Sequence, residues 1–408
     1  FHRCVTMGKK RIVIVGASLA GLRAAEALRK QGFDGGLVML GAEAHLPYDR
    51  PPLSKELLKG DVGAAALSYH PQAWYDGQGI ELILGSAATG LDPVARRVMH
   101  AKGPHGAKGH LQYDGLIIAC GARARRLESG MQKRGVFVIR SIEDSLALKA
   151  ALQPGMQLVV MGAGFIGAEV AASARALGVE VTVLEAAASP LRRVFGEGLG
   201  MALGQLHGEH GSVLRCGVEV SSILGHERVI GVELTDGATL PADVVVVGIG
   251  AVPNVEWLAG SGLSVGNGLL CDEFLWTGCE GVYAAGDVAS CVNTWLGERV
   301  RGEQWTTAGD QGRLAALNLL AGKEGHQAFE TAPYFWSDQY GCRIQSIGRT
   351  VSADLVHLLG SPQQRPFVGA FVENGLTVGA IAVNAPRQFA KLRPFVVRRA
   401  ASADLPLL

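Results

Sequence analysis

Two short glycine patterns in this 408-residue sequence have the spacing that phosphate recognition requires. One is Gly16-x-Ser18-x-x-Gly21, directly after RIVIV; the other is Gly162-x-Gly164-x-x-Gly167, at the end of LVVMG. In such a turn the first glycine permits a sharp exit from a strand. The second lets backbone approach a pyrophosphate, and the third packs the helix against the strand. Amides at the helix N-terminus then hold the anion. The second pattern is complete, whereas Ser18 takes the middle place of the first and is small enough to keep the approach. Glu185 closes the strand that follows the second turn. A carboxylate there accepts a hydrogen bond from a ribose 2′-hydroxyl and repels a 2′-phosphate, so NADH is expected over NADPH. Arg192 and Arg193 lie just beyond and are the complication, because arginine there accepts a 2′-phosphate. A lone pattern of this kind is as often a plain strand-to-helix turn. Two copies, each between a strand and a helix, favour nucleotide binding.

The elements around the turns repeat as well. RIVIV (11–15) is a buried-strand run, LRAAEALRKQG (22–32) has helical periodicity and stops at Gly32, and LVML (37–40) is the next strand. LVVMG (158–162), AGFIGAEVAASARALG (163–178) and VEVTVLE (179–185) repeat that order. Two such units imply two parallel-sheet nucleotide domains, and two dinucleotides of which the commonest pairing is a flavin with a nicotinamide. GLIIACGA (115–122) and DVVVVGIGAVPN (243–254) read as the crossings between them. A helix is expected from about Glu303 to Ala321, and after Pro333 the texture becomes short alternating strands, with ENG (373–375) as a hairpin signal. The expected class is α/β: two Rossmann-like dinucleotide-binding domains, one for FAD and one for NAD, plus a C-terminal α+β domain with an antiparallel sheet. The boundaries read as 1–117 and 246–323 for the FAD domain, 118–245 for the NAD domain and 324–408 for the third.

Composition narrows the class. Glycine is 56 of 408 residues, roughly twice ordinary usage, without a collagen period. With Lys+Arg 38 against Asp+Glu 37 there is no basic excess for a nucleic-acid binder. No apolar run reaches the roughly 20 residues of a membrane span, and FHRCVTMGKK has no signal-peptide core. Met7 is the expected natural start, with Phe1–Thr6 extra to it. Seven scattered cysteines without zinc spacing read as reduced, buried thiols of a cytoplasmic protein, with no metal site.

PYDRPPLSK (47–55), GAGFIGAE (162–169), GIGAVPN (248–254), AAGDVA (284–289) and PYFWSDQYG (333–341) occur in the order found in one family. Over residues 7–395 the chain resembles the oxygenase-coupled NADH:ferredoxin reductases, FAD flavoproteins of the putidaredoxin reductase and biphenyl dioxygenase reductase type. The resemblance implies that Gly16, Ala17, Ser18, Leu19, Ala20 and Gly21 wrap the FAD pyrophosphate. Gly286 and Asp287 belong to its second flavin fingerprint, whose Asp bonds the ribityl chain. It places Arg50 and Lys55 beside the flavin, with Lys55 reaching N5/O4 and favouring hydride acceptance. Arg140 falls on an FAD-contacting arginine, and Ala88 on a position whose backbone meets the adenine. Gln304 and Trp305 fall where the isoalloxazine is touched, on a helix whose N-terminus faces N1/O2 and favours the charge of reduced flavin. Glu169 matches a carboxylate near the nicotinamide, while Gly162, Gly164, Phe165, Ile166, Gly167, Glu185 and Gly250 are the NAD candidates. The family's ribose-binding acid follows the glycine that ends the second strand. Here that residue is Ala42, and Glu43 is expected to substitute.

The resemblance implies a ferredoxin–NAD(+) reductase that passes electrons from NADH through FAD to a 2Fe-2S ferredoxin. That ferredoxin would supply a Rieske dioxygenase or a haem monooxygenase. A rubredoxin is the alternative acceptor, and an apoptosis-inducing-factor-like NADH-binding flavoprotein is the alternative class. A cysteine-based disulfide reductase or peroxidase is disfavoured, since no cysteine lies between Cys4 and Cys120. The expected assembly is a monomer or weak dimer. The segment PRQFAKLRPFVVRRAA (386–401) carries Arg387, Lys391, Arg393, Arg398 and Arg399 with no acid. It is the expected docking surface for an acidic ferredoxin. Pro394 is expected to interrupt any helix there, so the five charges need not share a face.

Overall fold

The computed structural model describes residues 10–102 and 106–406; the expected start at Met7, and Cys4, lie outside them. The chain divides into two units that are discontinuous in sequence. One contains the chain up to Asp49, Ser68–Ala122 and Pro253–Pro333; the other contains Arg50–Leu67, Arg123–Val252 and the chain from Tyr334 on.

The first unit is built on a 5-stranded sheet in the order Val282–Ala284, Gly115–Ile118, Arg11–Val15, Gly36–Leu40, Ile80–Ile83. All four pairings are parallel. Val13, Ile14, Leu116 and Ile117 are fully buried, as strands covered on both faces require. Helix Leu19–Lys30 follows the first strand. A 3-stranded antiparallel sheet over Ser86–Asp92, Arg97–Lys102 and Lys108–Gln112 is inserted between Ile80–Ile83 and Gly115–Ile118.

The second unit repeats the plan. Its parallel sheet runs Val213–Cys216, Glu180–Glu185, Gln157–Met161, Val244–Val247, Val136–Phe137, and helix Phe165–Ala176 follows the central strand. In both sheets the strand before the glycine turn is central, with its successor on one side and the returning strand on the other.

The 5-stranded C-terminal sheet is antiparallel, in the order Tyr334–Gln339, Cys342–Gly348, Leu376–Val383, Phe367–Glu373, Asp354–Leu359. The expected hairpin forms: Asn374 and Gly375 connect two of these strands with φ of 49° and 77°, the positive values of a two-residue primed turn.

Two expectations are corrected. Pro394 does not interrupt the last helix, which runs Pro386–Val397. Its apolar face buries Phe389, Leu392 and Val396, each worth about 1.5–3 kcal/mol, against roughly 3 kcal/mol for an internal proline. Arg387 and Lys391 are therefore one helical turn apart, and Arg398, at the C-cap, continues their exposed stripe. Nor are the cysteines uniformly buried. All six within the described residues are free, but Cys120, Cys216 and Cys279 are only partly covered.

Within the second unit, Tyr340 ties the nucleotide sheet's helix Arg192–Glu209 to the antiparallel sheet. Its hydroxyl lies 2.9 Å from His207 Nδ1 and 2.8 Å from Ser212 Oγ. Burial holds the His207 imidazole down at about 4. The folded chain therefore resists a proton that the unfolded chain takes up near 6.5, so stability is lost as pH falls from about 6.5 towards 4. By the usual conversion the loss is up to about 3 kcal/mol. Urea unfolding at pH 7.5 and 4.5 checks this. His207→Gln should lose about that much less stability over the interval than the unsubstituted protein, and equal losses would refute the assignment.

Candidate functional site

The two glycine turns have the same geometry. A β-carbon at Gly16, where φ is 127°, would lie 2.1 Å from the Ala119 carbonyl oxygen; at Gly162, φ 99°, it would lie 2.4 Å from that of Gly248. Each chain therefore leaves its central strand pressed against the returning strand. Gly21 and Gly167 bring the helix equally close, since β-carbons there would meet the Gly16 and Gly162 carbonyl oxygens at 1.9 and 2.1 Å. Ser18 and Gly164 are the N-caps of the two helices, both in extended conformation and neither with a side-chain cap. Space above Gly164 is open, with nothing within 4 Å of a β-carbon. These cradles fit a pyrophosphate at each helix N-terminus.

In the first unit two elements converge on helix Leu19–Lys30. A β-carbon at Gly286 would lie 3.0 Å from Ala20 Cβ, which brings the turn carrying Asp287 against the glycine turn. Helix Trp305–Ala321 packs there too, because a β-carbon at Gly312 would lie 2.1 Å from the Ala20 carbonyl oxygen. Gln311 Oε1 accepts a 2.8 Å hydrogen bond from the Gly286 amide. Gln304 caps the helix that Trp305 opens. The Trp305 indole donates to Asp49 Oδ1 at 2.7 Å, and the Tyr69 hydroxyl donates to the same oxygen at 2.6 Å. Burial, and after it the Asp49 carboxylate, keep that phenol protonated far above its ordinary range. Glu43 Oε2 accepts from the Tyr48 hydroxyl at 2.5 Å, and its carbonyl accepts the Gly85 amide at 2.8 Å. Ala88 lies on the strand that begins one residue later, half-buried against the same core.

In the second unit Glu185 closes over its own turn. One carboxylate oxygen accepts from the Ala163 amide at 2.8 Å and the other from Ala187 at 2.9 Å. Ile166 and Ile249 are large apolar side chains left exposed beside that turn, at 46% and 36%. Phe165 packs on Phe335 with ring centroids 4.5 Å apart, and Gly250 is exposed with φ 108°. Arg192 and Arg193 are both exposed, with Arg192 3.7 Å from Glu197. Arg50 donates to the Arg140 carbonyl at 2.6 Å, at the entrance to a helix whose Ser141–Asp144 capping box fixes its start.

The same unit buries a charged pair. Lys55 Nζ lies 3.1 Å from Glu169 Oε2, with the two residues 8% and 6% exposed. The Ser54 hydroxyl donates to Oε2 at 2.6 Å and that of Ser337 to Oε1 at 2.7 Å. Sequence reasoning found Lys55, Glu169 and Trp305 but not Asp49, Tyr69, Ser54, Ser337 or Gln339. Four of those five lie inside PYDRPPLSK or PYFWSDQYG. The available signal was that these motifs carry more polar side chains than a loop and a buried strand need.

Two phosphate-ready strand–turn–helix units in one chain, one beside an Asp-bearing turn and one beside a buried Lys–Glu pair, define a two-dinucleotide oxidoreductase. Residues 10–312 match the family described as pyridine nucleotide-disulphide oxidoreductase, and residues 334–406 match the reductase C-terminal family. The chain is 39% identical over 393 residues to the anthranilate 1,2-dioxygenase system ferredoxin–NAD(+) reductase component of Burkholderia cepacia, covering 96% of this chain and 95% of that protein. It is 33% identical to putidaredoxin reductase CamA of Pseudomonas putida over 95% of this chain and 92% of that one. Among solved structures, the covalent putidaredoxin reductase–putidaredoxin complex matches with a TM-score of 0.89 at 32% identity, covering 96% and 94% of the two chains. The chain therefore belongs to the pyridine nucleotide-disulphide oxidoreductases, FAD enzymes that use NAD(H).

The two nucleotide-turn glycines separate folding from binding. Gly162→Ala forces a β-carbon into the Gly248 carbonyl and should cost about 3 kcal/mol or more. Gly164→Ala meets nothing and should melt within about 2 °C of the unsubstituted protein, yet should raise the dissociation constant for NADH at least about tenfold. Differential scanning calorimetry and nucleotide titration check both. Unimpaired NADH binding by Gly164→Ala would place the pyrophosphate elsewhere.

Proposed function

We propose that this protein is the NADH:ferredoxin reductase of an oxygenase system. It takes hydride from NADH and delivers electrons one at a time to a 2Fe-2S ferredoxin that feeds a Rieske dioxygenase or a haem monooxygenase. The observation that carries this reading is the duplicated phosphate cradle, in a chain that aligns along nearly its whole length with ferredoxin reductase components. FAD, when bound, supplies the conversion between a two-electron donor and a one-electron acceptor. The chain supplies binding, orientation and charge. We assign the FAD to segments 1–117 and 246–323, NADH to 118–245, and a supporting role to 324–408.

Gly16 to Gly21 hold the FAD pyrophosphate, and Asp287 the ribityl chain. Glu43 takes the adenosine ribose, braced by Tyr48, and Ala88 the adenine. Gln304 and Trp305 stand at the isoalloxazine, with the indole held by Asp49; Arg50 and Arg140 complete the cofactor's surroundings. Gly162, Gly164, Phe165, Ile166, Gly167 and Gly250 receive NADH. Glu185 faces its 2′-position while orienting the turn amide of Ala163. Lys55 is a fixed cation that favours negative charge on the reduced flavin, and Glu169 holds it.

The protein is placed in the cytoplasm, a reading supported by six free cysteines among the described residues. Among those residues no helix is long and apolar enough to cross a membrane. Sedimentation is expected to give a monomer or weak dimer. Ferredoxin docks on the stripe Arg387, Lys391 and Arg398, an exposed basic strip in a chain of net charge +1.

Steady-state reduction of a 2Fe-2S ferredoxin by NADH tests the activity, and flavin bleaching without ferredoxin turnover would overturn the acceptor. At an effective dielectric near 20 and about 4 Å, like unit charges repel by roughly 4 kcal/mol. After solvent screening, NADH should be favoured over NADPH by about one to three decades in kcat/KM, and Glu185→Ala should narrow that gap. Comparable efficiency with both nucleotides before substitution would refute the role of Glu185. Added salt should depress ferredoxin turnover while leaving flavin reduction unchanged. Arg387→Glu with Lys391→Glu should raise the ferredoxin KM without slowing ferricyanide reduction. Unchanged ferredoxin kinetics would move the docking surface off this helix.

A further inference from the structure

Strand Tyr334–Gln339 breaks the rule for a buried strand face. Its two fully covered positions, Ser337 and Gln339, are both polar, at 0% and 3% exposure. Apolar residues are the ordinary occupants of such a face, and polar ones persist there only when every group finds a partner. Gln339 bonds to Ser337, and Ser337 to the carboxylate of Glu169, which is itself shielded from solvent.

The hydrogen bonds around it have one direction. Gln339 Nε2 donates to the Ser337 oxygen at 3.1 Å. Serine carries a single hydroxyl proton, so that proton is left to point at Glu169 Oε1, 2.7 Å away. The Asp338 amide adds only a 3.4 Å contact to the same oxygen. Oε2 meets the Ser54 hydroxyl at 2.6 Å and Lys55 Nζ at 3.1 Å. Ser54 is fixed in turn by Ser173, which lies on the Glu169 helix and donates to the Ser54 carbonyl at 2.7 Å. With Oε1 anchored, the carboxylate plane cannot turn, and Oε2 stays where Ser54 and Lys55 converge.

We propose that Ser337, its hydroxyl aimed by Gln339, is the positioning residue that keeps Glu169 turned onto Lys55. The C-terminal sheet thereby sets the geometry of the Lys55 cation. This rests on the reading that Lys55 serves the flavin. Ser337 acts through Glu169, to which its hydroxyl donates.

The test uses the FAD-loaded protein with Ser337→Ala, Glu169→Gln and the two combined. The first readout is the rate at which Lys55 is acylated by excess amine reagent, followed by mass spectrometry. The second is the limiting rate of flavin reduction by NADH in rapid mixing. Ser337→Ala should raise Lys55 acylation about tenfold and lower the limiting rate about tenfold, with the half-saturating NADH concentration unchanged. The double variant should be no slower than Glu169→Gln alone, because the serine acts only through the glutamate. Losses that multiply, or unchanged Lys55 acylation, would overturn the proposal. If Glu169→Gln itself leaves flavin reduction intact, the role of the pair at the flavin falls, and the proposal with it. If Glu169→Gln slows reduction and Ser337→Ala does not, the pair keeps its role and only the proposal falls. Gln339→Met keeps the Ser337 hydroxyl but frees it to rotate. It should give the same pattern at about threefold, and it decides the matter should Ser337→Ala fail to fold.

Discussion

A backbone amide can reach a pyrophosphate oxygen only where the chain turns out of its strand without a side chain in the way, and that requirement shapes both units. At Gly16 and Gly162 the turn is so tight against the returning strand that a β-carbon would sit within 2.4 Å of a carbonyl oxygen. The parallel order of each sheet follows from it. The returning strand must lie beside the first for the turn to press on it, and in each unit the chain reaches that strand from a 3-stranded antiparallel sheet. The three converging elements around Ala20 then follow from close packing, since Gly286 and Gly312 admit neighbours that larger residues would hold away.

A second constraint governs the other unit, where an anion and a cation are removed from solvent together. Taking Lys55 or Glu169 alone out of water would cost several kcal/mol, and the pair offsets this only if the leftover valences are filled. Two serine hydroxyls do so, one from the loop that carries Lys55 and one from the C-terminal sheet. Such a pair contributes little to net stability. Its value is geometric, because groups satisfied on every side have one arrangement.

The repeated strand–turn–helix plan was legible because it depends on local signals: β-branched runs, glycine spacing and the periodicity of the following helix. The hairpin at Asn374–Gly375 was legible for the same reason. What escaped depends on contacts far apart in sequence. The inserted antiparallel sheet over Ser86–Gln112 has no glycine fingerprint, and its strands are mixed in polarity. The last helix was misjudged at Pro394 because local propensity cannot weigh the burial of Phe389, Leu392 and Val396 beneath the sheet. At the site, Glu169 and Trp305 came from motif resemblance, while Asp49 and Ser337 needed the folded chain to show what they hold.

The interleaving of the two units bears on how the protein is made. Arg50–Leu67 emerges early from the ribosome, yet its partners lie in Arg123–Val252 and in the chain from Tyr334 on. The opening strands of the other unit likewise wait for Pro253–Pro333 to supply their outermost neighbour, Val282–Ala284. Vectorial synthesis favours folding domain by domain from the N-terminus, and neither unit here is one uninterrupted stretch. The nascent chain must therefore carry unpaired sheet edges until late in translation, which makes it a natural client for chaperones.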